Sequence, residues 1–193
     1  MIRRAIVLVV AFGALASGDS QLPQQVQNAL TSIDTVPTQT ELDQVFGGAA
    51  LTNLTTIAQD VSADVGIRLR AIHALAKYCG AVPCPTNDPA HQALSTLIAG
   101  TADQHAGSGL LILRSAIESI GVLQVQTDLG ILLPLLDHPS RDIRTSTAHA
   151  LRDLCNTQAV TPLRFRYQHE ATDQVKLAIS EALRILSAPP CSP

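Results

Sequence analysis

Apolar positions recur with a helical period along much of the chain, most plainly in residues 129–155, LGILLPLLDHPSRDIRTSTAHALRDLC. Leu129, Ile131, Leu132, Leu133, Leu135 and Leu136 predict an apolar first helix, and Asp137-His138-Pro139-Ser140 predicts a tight elbow after it. Beyond the elbow, Ile143, Thr147, Ala150, Leu151 and Leu154 fall at i, i+4, i+7, i+8 and i+11, a single buried stripe on a second helix. Ser140 is placed to cap that helix with its hydroxyl, and Asp142 stands where the helix dipole favours negative charge. A hairpin this short cannot bury its apolar sides alone, so it requires neighbours.

The same pattern recurs elsewhere. Ile67-Arg68, His73-Ala74-Leu75 and Cys79 match Ile143-Arg144, His149-Ala150-Leu151 and Cys155 at one offset of 76 residues. Val175-Lys176, Ala182-Leu183 and Leu186 repeat it 32 residues after the third unit, and Ile112, Ala116, Ile117 and Ile120 form a weaker copy between. Four helix pairs follow, over about 50–79, 88–121, 127–155 and 158–187, spaced by about 45, 31 and 32 residues. Periods of this size with one helical hairpin each predict a solenoid. Upstream, Val26, Ala29, Leu30 and Ile33 share a face of a helix over 22–33, with Pro23 near its first turn. Pro37 interrupts the pattern, Thr38 or Thr40 caps a short helix through Phe46, and Gly47-Gly48 ends it. The expected organisation is therefore a helical cap over 23–48, repeats over 49–188 and a tail over 189–193. Runs of alternating β-branched residues between turn pairs are missing, so the class is all-α.

The segments LLPLLDHPSRDIRTSTAHALRDL, Ser62-Ala-Asp-Val-Gly-Ile-Arg with His-Ala-Leu, and Ala171-Thr-Asp-Gln-Val-Lys with Glu-Ala-Leu resemble HEAT repeats of the bacterial HEAT-like type. The second unit departs from the pattern: Leu113 stands where Arg is expected, and Gly107 and Gly109 loosen its helix start. The resemblance implies a right-handed α-solenoid and speaks little of activity, because one fold hosts many functions. In such repeats an elbow Asp and the Arg of the next unit form a ladder along the stack; the candidates are Asp64, Arg68, Asp142, Arg144 and Lys176.

Met1-Ile-Arg-Arg, the apolar run 5–16 and the small-x-small site Ala14-Leu15-Ala16 predict a secretory signal peptide over 1–16, followed by a linker over 17–22. The alternative is an uncleaved anchor, although the run is short for a bilayer span. The mature chain is expected in the periplasm or outside the cell, with no membrane span. Four cysteines in an exported chain predict two disulfides. Stacked units put Cys79 and Cys155 about 20 Å apart, two steps of roughly 8–10 Å, beyond the reach of a disulfide. Cys79 with Cys84 is local, and the tail carries Cys191 one step back to Cys155.

Composition narrows the chemistry. The 193 residues are 46% hydrophobic but only 3% aromatic, so the core is Leu, Ile, Val and Ala. The net charge is −3, or about −5 without Arg3 and Arg4. Basic residues are mixed with acids in 141–184, and aromatics are few, which excludes a phosphate-tracking stripe or stacking platform for nucleic acid. No nucleotide-loop, nucleophile-elbow or H-E-x-x-H motif is present, and no cofactor is implied. The HEAT-like deoxyhypusine hydroxylases resemble this architecture and use four His-Glu pairs, whereas this chain has one, His169-Glu170. Asn53-Leu54-Thr55 matches a glycosylation acceptor. Arg164-Phe165-Arg166-Tyr167 crowds four bulky groups on a short helix and is a candidate partner surface. The expected function is a non-catalytic, exported scaffold binding another protein on a concave face of second helices. The alternative is a metal-binding protein or enzyme using His73, His149 or His169.

Overall fold

The computed structural model describes residues 24–31, 37–189 and Cys191. The expected signal segment 1–16 and linker 17–22 lie outside the described residues. The regular elements among those described are all helical, without strands. The helices are α1 (Gln24–Thr31), α2 (Gln39–Phe46), α3 (Ala50–Gln59), α4 (Val65–Leu75), α5 (Pro89–Thr101), α6 (Gly107–Gly121), α7 (Leu129–Leu132), α8 (Arg141–Leu154), α9 (Val160–His169) and α10 (Asp173–Leu186). Short 3-10 turns precede α3, α7 and α9 and follow α4 and α7.

Local chemistry explains most of the boundaries. Thr38 and Glu41 form a reciprocal capping box at the start of α2. That helix ends at Gly47, whose φ of +61° suits a residue without Cβ. Asp88 caps α5 through the Ala90 N–H, with Pro89 at the first helical position. Two expectations are corrected here. The first helix of 129–136 is α-helical only to Leu132 and continues as a 3-10 turn, Leu133–Asp137, because Pro134 has no N–H to give an α-helical ladder. Ser140 occupies the N-cap of α8 but makes no side-chain cap; its backbone N–H donates instead to His138 Nδ1 at 3.0 Å. In the second unit the elbow is 102–106, and Gly107 to Gly109 form the first turn of α6.

The four expected pairs are α3/α4, α5/α6, α7/α8 and α9/α10, each packed against its partner. The second helices also pack in succession, α4 on α6, α6 on α8 and α8 on α10, while α3 packs on α5. Helix α1 lies against α2 and α4. The α8 stripe Ile143, Thr147, Ala150, Leu151 and Leu154 is buried as expected. Facing it, Ile112, Leu113, Ala116, Ile117 and Ile120 of α6 are buried too. Each Leu or Ile among them removed from water is worth about 1.5–3 kcal/mol. Helices α6 and α8 approach so closely that a Cβ on Gly121 would stand 2.7 Å from the Ala150 Cα. Cys79 with Cys84, and Cys155 with Cys191, stand at disulfide-bonding distance, with Cα separations of 5.9 and 5.0 Å.

Candidate functional site

The face presented by the second helices carries a row of ionisable side chains at one repeat position. His73 of α4, Glu118 of α6, His149 of α8 and Glu181 of α10 are 45, 31 and 32 residues apart, the same spacings as the helix pairs. The row is half-buried up to α8 and open at α10. Glu118 is its hub. Its Oε1 accepts from Arg114 Nε at 2.8 Å, one turn back on the same helix, and from Ser146 Oγ of α8 at 2.9 Å. Its Oε2 stands 3.6 Å from His73 Nε2, an ion-pair contact rather than a full hydrogen bond. Burial alone would raise the Glu118 carboxyl, but His73, Arg114 and Ser146 outweigh it and draw it down to about 2. Farther along, Arg152 donates to Asp153 at 2.7 Å and to Glu181 at 3.0 Å. Val122 lies one turn beyond Glu118 and Leu177 one turn before Glu181; both are exposed, Leu177 to 73%. The face therefore combines paired charge with open aliphatic surface.

The expected Asp–Arg ladder is not what the chain builds. Asp64 caps α4, accepting from the N–H groups of Gly66 and Ile67 at 2.8 and 3.2 Å. Free helix-start N–H groups are nearer to an elbow carboxylate than any side chain of the next unit, so they claim it. Arg68 is buried and donates to the Ala58 carbonyl within its own pair. Asp142 stays at the surface 3.7 Å from Arg141, and Lys176 is half-buried on α10. Arg144 does cross to the next unit, but to Glu170: Nε and Nη2 form a bidentate pair at 2.8 and 2.9 Å, and Nη1 donates to the His138 and Pro139 carbonyls. Glu170 is buried and also accepts from Arg166 and from the Ala171 and Thr172 N–H groups. The Arg144 hydrogen bonds, helped by those of Thr172 and Arg166, overcome burial and hold its carboxyl well below the ordinary range.

That network divides the expected surface on α9. Arg166 turns inward to Glu170 and Asp137, while Arg164, Phe165 and Tyr167 stay exposed, the Phe165 ring centred 4.3 Å from that of His169. His169 Nδ1 lies 2.8 Å from the Phe165 carbonyl. His73, His149 and His169 are not gathered into one cluster. Among the described residues, the trio of possible ligands lying within 4.8 Å of one another is Cys79, Cys84 and Asp88, whose two sulfurs are placed to bond each other.

Sequence reasoning passed over a buried pair, His91 and Asp128. His91 Nε2 is 2.8 Å from Asp128 Oδ1 and Nδ1 is 3.0 Å from the Thr86 carbonyl. Ser95 Oγ lies 3.4 Å from the same Nε2 and gives its own hydrogen bond to the His91 carbonyl. A nucleophile relay needs acid and hydroxyl on opposite ring nitrogens, so this group joins α5 to the turn before α7 and does not activate Ser95. Glu118 and Glu181 were also missed. The repeat offsets could have found them, since they fall at the His73 and His149 position, but Glu does not look like His in a search for identities.

On the first-helix side an open groove of about 440 Å³ runs between α3 and α5. The hydroxyls of Thr55, Thr56 and Thr96 in its wall donate to carbonyls one turn back. Asn53 of the glycosylation match sits half-buried on α3. Among the described residues no helix is long and apolar enough to cross a membrane. The chain matches no protein-family model and no curated protein.

Proposed function

We propose that this chain is an exported, right-handed α-solenoid of four HEAT-like pairs behind an N-terminal helical cap, and that it binds another protein on the face of its second helices without catalysing a reaction. The observation that carries this reading is the succession α4, α6, α8, α10, each packed on the last, which sets one residue of each helix in a row. A partner docking there meets alternating imidazole and carboxylate groups beside Val122 and Leu177. Buried aliphatic contact with a polar surround is the usual composition of a protein interface. Two cysteine pairs at bonding distance fit an oxidising compartment.

The test compares two faces. The doubly substituted Leu177→Asp/Val122→Asp protein should lose its co-purifying partner from the native compartment. Thr56→Asp/Gln92→Asp on the first-helix side should keep it. Loss from the first-helix variant with retention by the second-helix variant, or recovery of the untagged chain in the cytoplasmic fraction, overturns the proposal.

A further inference from the structure

We propose that His73, Glu118 and His149 form a binding site for a divalent first-row transition ion, zinc being the probe, bridging three consecutive second helices. The argument starts from the geometry of Glu118. Its Oε1 is fully engaged by Arg114 and Ser146, which fixes the carboxylate plane. Among the described residues its Oε2 receives no hydrogen bond, and it faces His73 Nε2 at 3.6 Å. That gap is long for a hydrogen bond. It is close to the spacing of two ligands on one ion, since atoms about 2.0–2.1 Å from a tetrahedral zinc are roughly 3.3 Å apart. Partners that orient a ligating carboxylate through its other oxygen are what metal sites require around their ligands.

The third ligand comes from α8. Ser146 already touches Glu118, and His149 is one helical turn beyond Ser146 on the same face. The two helices are in tight contact near that level, Gly121 lying against Ala150 next to His149. His149 makes no hydrogen bond or ion pair among the described residues, so turning its ring toward Glu118 Oε2 breaks none. The three ligand atoms are not all within 4.8 Å as the chain stands, and binding requires that turn. Two imidazoles and a carboxylate suit zinc and leave a coordination position for water or a partner's side chain. The site does not depend on a protein partner, because the ligands all belong to this chain.

The experiment is calorimetric titration of the untagged, oxidised full chain with Zn2+ alone. One ion per chain is expected. His149→Ala is the decisive variant, since that side chain makes no hydrogen bond or ion pair among the described residues whose loss would disturb folding; it should weaken binding at least tenfold. His73→Ala should do the same, and His169→Ala should leave binding unchanged. Helical circular dichroism of each variant establishes that it is folded. Absence of saturable binding by the unsubstituted chain, or binding unaltered in His149→Ala, overturns the proposal.

Discussion

Two seams between helix pairs occupy the same place in the repeat and are built from opposite chemistry. Between the third and fourth pairs, Arg144 of α8 meets Glu170, just before α10, in a buried bidentate ion pair. One repeat earlier the corresponding positions hold Leu113 of α6 and His138, just before α8. Leu113 is fully buried; His138 is buried too and stacks on His105 with ring centres 5.3 Å apart. Burial, with His105 nearby, lowers the His138 pKa and favours the neutral ring. A charge in one member thus accompanies a countercharge in the other, and where one is aliphatic the other is held neutral. Neither of these two seams mixes the solutions, because an unpaired charge there would have neither water nor a partner; Arg68, at the same repeat position in α4, is buried on the Ala58 carbonyl instead.

The largest effects come from mixing the two solutions. Glu170→Ala leaves Arg144 and two backbone N–H groups without their acceptor and should cost about 3–5 kcal/mol in urea unfolding. Leu113→Arg should be destabilising to a similar degree, and adding His138→Glu to it should restore part of the loss. A double variant no better than Leu113→Arg alone would break the comparison.

The cysteine pairs differ in the same direction. Cys155–Cys191 closes 36 residues and Cys79–Cys84 only 5. Chain entropy then predicts losses of about 4 and about 2 kcal/mol when each pair is replaced by serine. Equal losses would mean that strain or residual structure, not loop length, decides.

Acid should act through the carboxylates that are held low. Glu118 and Glu170 both bind protons less readily folded than unfolded, so their contribution is complete above the ordinary value of 4.5 and fades as pH falls below it, for Glu118 toward about 2 and for Glu170 lower still. The urea midpoint should decline across that interval, and less steeply in Glu170→Ala. The smallest contrast concerns two glycines. Gly121→Ala drives a methyl into the α8 backbone and should cost about 1–3 kcal/mol. Gly130→Ala in α7 meets nothing within 4 Å and should stabilise by about 0.5–1 kcal/mol. Thermal melts of the two variants separate these signs.

Much of the helical order was legible because Ile-Arg, Ala-Leu and Cys recur at fixed offsets, and aliphatic residues at such spacings have few ways to be buried. The cysteine partners followed from the distance expected between stacked units. What escaped was partnership. Glu170 read as half of a His-Glu pair, yet its neighbours are Arg144 and Arg166, one of them 26 residues away. Asp64 read as a rung and proved to be a cap, since local N–H groups compete for the same oxygen. Glu118 escaped because a repeat position can keep its place in space while changing its side chain from base to acid.

Cys155 terminates α8 with φ 57° and ψ 36°, the left-handed region in which an L-residue is disfavoured by about 1–2 kcal/mol. Glycine would end the helix there without that penalty. Under reducing conditions, Cys155→Gly should therefore raise the melting temperature relative to the parent, whereas under oxidising conditions it should lower it. The sulfur's worth exceeds the backbone's preference only where it has Cys191 to bond, so the helix end is a feature whose value turns on the redox state of its surroundings.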